Sequence, residues 1–487
     1  HTLGRKITEA CLAMKLADRY SKREILARYL NVVYYGNQAY GVAAAAQTYF
    51  SRRASQLTVA QAALIAGLPQ APTSYDPFRN GDAATRRRNE VLDAMLSTHV
   101  LRPAAWRYAR RRPLGLQPGA LYTTIHEPYF FRYVDQQLVQ QYGQRIVESG
   151  GLRVRTTIDP RLQRLALRVV EHHLPRRDDP ASAVVAIDPR SGKVRAMTVW
   201  VPSRERLLFN LASQGARQAG SAFKPFTLAA VLEHGTPLDH YYSGPSEMTI
   251  DDPRCEDGYH QPWEVHNNAD ETEGTMNLID ATANSVNTIF AQLVTQVGPS
   301  AVVRMAHRLG IESNLQAVCS ITLGTQAVSP LEMTTAYATL ANRGLRHNPQ
   351  AVESVRTASG NVVPYPVSNP QVAVSREIAD EVTSALEAVT EKGTGTGAAI
   401  GRPIAGKTGT AEKFVDAWFC GYVPQLATCV WVGYPHREVP MNYVEGFAPV
   451  YGGTIPAAIW HDFMSGALAH TPVQDFATPS ETQLTSG

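Results

Sequence analysis

Apolar positions along this chain change period more than once. Over residues 1–110 they recur at helical spacing. Two helices there carry their own start signals, Ser21-x-x-Glu24 and Thr58-x-x-Gln61, in which a hydroxyl caps the helix and the residue three on bonds back. Arg110-Arg-Arg-Pro-Leu-Gly-Leu-Gln-Pro-Gly119 interrupts the pattern with proline and glycine and reads as a linker. From Ser182 to Met197, two apolar runs flank a Pro189/Gly192 turn and predict paired strands. Ala417–Val423 and Thr428–Val432 predict a second hairpin, around Pro424-Gln425. Between these, Thr227–Leu232 predicts a buried helix that Gly235 stops and that Pro225 enters in its first turn, where a missing N–H costs little. From His470 the chain turns to Thr, Pro, Ser and Gln, and residues 469–487 are expected to be a disordered tail.

The pattern divides the chain into a helical part (1–110), a connection (111–180), an α+β domain (181–468) and the tail, which suits 487 residues. The longest apolar runs, near Val42 and Leu64, are short and alanine-rich, well under the ~20 residues needed to span a bilayer. A net charge of +3 is too mild to argue for nucleic acid. Arg86–Arg88 and Arg110–Arg112 read as solvated faces. His172-His173 lacks partners at metal-ligand spacing.

The candidate chemistry begins at Gly220-Ser-Ala-Phe-Lys-Pro. Ser221 and Lys224 stand at i and i+3, on one face of a helix, so a neutral lysine amine can take the proton of a serine nucleophile. Two further motifs follow, Ser285-Val-Asn287 and Lys407-Thr-Gly-Thr410. In this order the three match the Ser-x-x-Lys, Ser-Asp-Asn and Lys-Thr-Gly set of penicillin-binding proteins and class A β-lactamases, with Val286 where the aspartate stands. Ser285 is then a candidate proton relay and Asn287 a holder of Lys224. Lys407, Thr408 and Thr410 suit a carboxylate, and Gly409 a close approach of substrate to the backbone. Burial and the charge of Lys407 both favour a neutral Lys224. The N–H groups of Ser221 and Thr410 are candidates for an oxyanion hole.

Gly401-Arg-Pro-Ile-Ala-Gly-Lys-Thr408 also fits a phosphate-binding loop. That reading needs a strand before it and a helix after it; a flexible loop, Glu391-Lys-Gly-Thr-Gly-Thr-Gly397, precedes it and Gly409 with a predicted hairpin follows.

At this point the sequence resembles the class A, bifunctional penicillin-binding proteins. Arg217 to Phe226, Leu323 to Met333, Ala405 to Thr410 and Asp416 to Tyr422 look like their transpeptidase domain, and Gly151 to Pro160 like the segment leading into it. Arg5-Lys-Ile-Thr-Glu9, Ser21 to Gly36, and Leu57 to Pro72 resemble motifs of their lysozyme-like glycosyltransferase domain. The resemblance implies a multidomain chain: a partial, all-α glycosyltransferase part, then a β-lactamase-like domain with an antiparallel sheet flanked by helices. It implies a serine DD-transpeptidase on the extracytoplasmic face of the bacterial membrane. Stem peptides ending in D-Ala-D-Ala and β-lactam antibiotics would acylate Ser221, with no cofactor.

Glu9 matches one of the paired glycosyltransferase acids, and Arg5 and Lys6 would meet the phosphates of a lipid-linked glycan donor. Read alone, Glu9 is a helix carboxylate paired with Arg5. The other acid and the family's membrane anchor would precede His1, so this chain is expected not to polymerise glycan by itself.

Three alternatives share the serine. A β-lactamase would add a Glu-x-x-Leu-Asn motif after the middle motif. Glu273-Gly-Thr-Met-Asn277 resembles it but precedes Ser285, so slow deacylation is expected. A DD-carboxypeptidase would differ only in using water as acceptor, and a non-catalytic penicillin sensor would bind without turnover. Five cysteines leave at least one unpaired. Cys255–Cys319 and Cys420–Cys429 are possible disulfides, the second disfavoured by adjacent-strand geometry, and free cysteines as small core residues are the expected state.

Overall fold

The structure, a computed structural model, describes residues 12–479 apart from 38, 120–125, 149–151, 204–206, 208, 256–260, 269–270, 358–359 and 368. Arg5, Lys6 and Glu9 lie outside the described residues. The chain forms two compact units, residues 1–154 with 354–365, and residues 155–353 with 366–487.

The first unit is mainly helical, with helices Lys22–Val32, Val42–Phe50, Val59–Gly67, Gly81–Ser97, Pro103–Arg111 and Pro128–Tyr142. Both expected capping boxes form: Glu24 N–H reaches Ser21 Oγ at 3.3 Å, and Gln61 N–H reaches Thr58 Oγ1 at 3.3 Å. Tyr35, Tyr49, Phe50, Leu64 and Leu68 make its core. The arginine runs are only partly a solvated face. Arg88 is buried and donates to the carbonyls of Arg110 and Arg112, tying two helices together. Among the described residues no helix is long and apolar enough to cross a membrane.

The second unit carries, in chain order, α1 (Pro160–His173), β1 (Ala181–Ile187), β2 (Val194–Trp200), α2 (Lys224–Glu233), α3 (Leu278–Ala283), α4 (Asn287–Val297), α5 (Pro330–Ala341), α6 (Arg376–Glu391), β3 (Ala405–Thr410), β4 (Asp416–Val423), β5 (Leu426–Gly433) and α7 (Ile455–Ala467). The five strands form one antiparallel sheet in the order β3-β4-β5-β1-β2. Helices cover both faces, which is why β1, β4 and β5 are near-continuous apolar runs instead of alternating ones. Val184, Phe419, Val430 and Val432 meet α1 and α7 on one face. On the other, Tyr422 packs edge-on to Tyr337 of α5 and its hydroxyl meets Thr383 of α6 at 2.9 Å. Both predicted hairpins are present.

Three further expectations change. Within 111–180, read as a connection, α1 packs on the sheet, and the Gln163 side chain bonds both backbone groups of Met197. Of the tail, residues 470–479 are described and partly docked: Arg402 donates to the Thr471 carbonyl, and Phe476 sits edge-on to Tyr422 at 5.6 Å. Both cysteine pairs are disulfides. Cys255–Cys319 joins Cα atoms 4.9 Å apart and Cys420–Cys429 joins Cα atoms 4.1 Å apart, the latter in direct register on β4 and β5.

Candidate active site

Gly220–Phe223 forms a 3-10 turn that continues into α2 at Lys224. The sequence dictates this local form. Pro225 has no N–H to offer the Ser221 carbonyl, so the Lys224 N–H closes the turn there instead. In a 3-10 turn side chains at i and i+3 eclipse, which stacks Ser221 and Lys224 more directly than an α-helix would. Ser221 is half-buried and Lys224 fully buried. The Trp418 indole donates to the Gln218 carbonyl just before the turn, and the Tyr337 hydroxyl donates to the Ala222 carbonyl within it, both at 2.8 Å. Neither brace was foreseen from the sequence.

Lys224 Nζ does not bond the Ser221 hydroxyl, as the i, i+3 spacing suggested. Its partners are the Ser285 carbonyl at 2.6 Å, Asn287 Oδ1 at 2.7 Å and Ser285 Oγ at 3.1 Å. Burial first, and the Lys407 charge second, hold its pKa well below the usual lysine range. The three partners suit a neutral amine. Nζ donates toward all three oxygens, and a neutral amine has N–H groups for the two carbonyl oxygens while the Ser285 hydroxyl, which can donate as well as accept, can adjust to the third direction.

Ser285 is buried in a left-handed conformation, φ 60°, between α3 and α4. A non-glycine residue at positive φ is strained, and here the strain turns both its carbonyl and its hydroxyl toward Lys224. Asn287 opens α4 and is fixed at both ends, since its Nδ2 donates to the His266 carbonyl at 2.8 Å. Val286, the departure from the motif, is buried against the Gly244 backbone, a setting where an apolar residue fits.

Lys407, Thr408, Gly409 and Thr410 lie on β3, at the edge of the sheet, so no phosphate-loop helix follows them. Lys407 is fully buried, which lowers its pKa to about 7, and donates to the carbonyl and hydroxyl of Thr408. Because the Ala411 N–H bonds the Asp416 carbonyl on β4, alternation along the ladder turns the N–H groups of Thr408 and Thr410 to the open edge.

Gly409 has another reason than substrate approach. A Cβ there would sit 2.2 Å from the Ala219 carbonyl, and a Cβ on Gly220 would sit 2.3 Å from the Thr410 carbonyl. The serine turn and β3 thus touch backbone to backbone through two glycines. The Glu391–Gly397 segment is also not the flexible loop expected. Thr394 N–H bonds the Ala283 carbonyl at 3.1 Å, its hydroxyl meets Thr408 Oγ1 at 2.7 Å, and Gly393 leaves no room for a Cβ beside Ala283. This segment ties α3, which leads to Ser285, to the Lys407 strand. Its Gly-Thr-Gly-Thr-Gly pattern was the available signal.

The transglycosylase family matches residues 1–96, and the penicillin binding protein transpeptidase domain matches residues 182–464. Penicillin-binding protein 1A of Mycobacterium tuberculosis is 35% identical to this chain, over 98% of the chain and 60% of that protein. Penicillin-binding protein 2D of Bacillus subtilis is 32% identical, over 98% and 69%. The chain thus spans about 60% of the length of the mycobacterial relative. Among solved structures, the PonA1 protein from Mycobacterium tuberculosis in complex with penicillin V is similar at 33% identity and TM-score 0.65, covering 74% of this chain and 97% of that one. Penicillin-binding protein 1A from Haemophilus influenzae shares the fold at 23% identity and TM-score 0.73, over 94% and 87%. The chain belongs to the class A penicillin-binding proteins, whose transglycosylase and transpeptidase regions it carries in that order.

Proposed function

We propose that the second unit is a serine DD-transpeptidase that cross-links peptidoglycan through an acyl-enzyme on Ser221. The observation that carries this is the buried Lys224 amine, held by Ser285 and Asn287, directly behind a serine turn docked on the Lys407–Thr410 strand.

The stem peptide lies along the open edge of β3, its terminal carboxylate against Lys407, Thr408 and Thr410. Ser221 Oγ attacks the penultimate D-Ala carbonyl and yields its proton to Lys224. The N–H groups of Ser221 and Thr410 hold the oxyanion. As the C–N bond breaks, the proton passes through Ser285 to the leaving D-Ala amine. An amine of a second stem then attacks the ester, Lys224 takes its proton, and the bond to Oγ breaks to restore the serine. Water in place of the amine gives carboxypeptidase activity. No step needs a cofactor. A β-lactam, carrying a carboxylate beside a reactive amide, enters by the same route. The setting is extracytoplasmic, where two disulfides are at home.

Intact-mass analysis after penicillin treatment, with peptide mapping, tests the reading. One adduct per chain, on Ser221, is expected. An unmodified protein, or a stable adduct on another residue, would sink it.

The two lysines set the pH dependence. Protonated Lys224 has no lone pair, so acylation falls on the acid side by about tenfold per pH unit below its pKa. That limb lies well below the ordinary lysine range, because burial and Lys407 disfavour the ammonium. Lys407 loses its charge in the empty site as pH rises through about 7, weakening carboxylate capture. Stopped-flow acylation by penicillin is expected to give a bell. Lys407→Met should remove its alkaline limb and keep the acid one; an unchanged alkaline limb in that variant would count against the carboxylate role.

A further inference from the structure

A closed circuit of contacts runs around the serine and its lysine, and one covalent bond completes it. Lys224 is anchored on Asn287, at the first position of α4. At the other end of α4 the Thr295 carbonyl accepts the Arg254 guanidinium at 2.7 Å, and Arg254 is itself held by Asp252. The next residue, Cys255, is bonded to Cys319. Cys319 begins the 3-10 turn Cys319–Leu323, which ends on Gly324 at φ 74°. The Gly324 carbonyl accepts the Gly220 N–H at 3.2 Å, so close that a Cβ on Gly324 would lie 2.1 Å from the Gly220 carbonyl. Gly220 precedes Ser221.

We propose that the Cys255–Cys319 disulfide is a positioning clasp for acylation, coupling the far end of α4 to the turn that aims Ser221. The inference rests on the serine mechanism above. Both half-cystines are buried, Cys255 at 7% exposure and Cys319 at 1%, so the clasp sits inside the domain. It spans 64 residues and joins the two segments that hold opposite sides of the reacting pair. With it, α4 cannot shift along its axis without pulling on the Cys319–Gly324 turn. Without it, Asn287 and Gly220 stay linked on one side only, through the Lys224 hydrogen bond, with packing on the other, and Ser221 and Lys224 can drift by the fraction of an ångström that acylation does not tolerate.

The test separates positioning from stability. Acylation by a fluorescent penicillin is resolved into the saturating rate and the half-saturating concentration, well below the melting temperature of each variant. Cys255→Ser/Cys319→Ser is expected to lower the saturating rate about tenfold with the half-saturating concentration little changed. Cys420→Ala/Cys429→Ala, which breaks the other disulfide, should keep the rate. If the first double variant does not fold, the wild-type enzyme reduced with a phosphine, its freed thiols counted, replaces it. Arg254→Ala should also slow the saturating rate, but add little once the disulfide is gone, because both cut the same circuit. A saturating rate that survives loss of Cys255–Cys319, or fully additive losses, would overturn the clasp. Failure of any adduct to form on wild-type Ser221 would instead overturn the mechanism beneath it.

Discussion

Lys224→Arg is expected to lower the rate of Ser221 acylation by about 10³-fold, as much as Lys224→Ala does. Arginine keeps a positive charge and more than enough N–H donors for the three oxygens that surround Lys224 Nζ. It lacks a lone pair near neutral pH, because its guanidinium does not deprotonate in proteins. If Lys224 acts as a base, the two variants fail together. If its task is only to hold Ser285 and Asn287 or to supply positive charge, arginine should rescue a large part of the activity. Penicillin acylation rates of the two variants, with melting temperatures to show that each is folded, decide between these. The alanine variant has its own structural cost. It leaves the Ser285 carbonyl and Asn287 Oδ1 without their buried donor, at about 1–3 kcal/mol each unless water enters. Recovery by arginine to within tenfold of wild type would refute the general-base role.

What the sequence made legible follows from the range of the signals. Turn residues and apolar runs act over a few positions, so the Ala417–Val432 hairpin and the Thr227–Leu232 helix were readable. Motif order brought Ser221, Ser285 and Lys407 onto one site although nothing local links them. Of the contacts of Lys224, the one to Asn287 was legible from the motif set, but those to Ser285 were not. Its bonds to the Ser285 atoms cross 61 residues, and they depend on a left-handed backbone at Ser285 that no turn-forming glycine announces. Spacing alone pointed Lys224 at Ser221, because i, i+3 is the only geometry that two residues of one motif reveal.

Glycine misled for a related reason. At Gly409 and at Gly393 the absent side chain makes room for the chain's own backbone. In sequence such a position cannot be told from a flexible one or from one left open for substrate, since the space is filled by a remote segment. The tail shows the same limit. Its composition reads as disordered, yet Phe476 finds Tyr422, a partner fixed by the sheet and invisible from the tail itself.

Gly220→Ala is expected to cost about 100-fold in acylation and to destabilise the domain by about 2–4 kcal/mol. Two separate effects meet at this position. Its φ of 56° is left-handed, a conformation that costs an alanine roughly 1–2 kcal/mol. Its Cβ would also lie 2.3 Å from the Thr410 carbonyl and 2.6 Å from the Thr410 nitrogen, which is backbone and cannot rotate away. The serine turn must therefore lift off β3, and this separates the Ser221 N–H from the Thr410 N–H, the pair proposed to hold the oxyanion. Gly235, beyond the other end of the same helix, isolates the first effect: its φ is 89°, and nothing lies within 4 Å of an added Cβ. Gly235→Ala should lose about 1 kcal/mol of stability and keep its acylation rate. Thermal unfolding and penicillin acylation of the two variants, side by side, check the account. Equal stability losses with equal acylation would mean that the turn does not need its seat on β3, and that the oxyanion hole lies elsewhere.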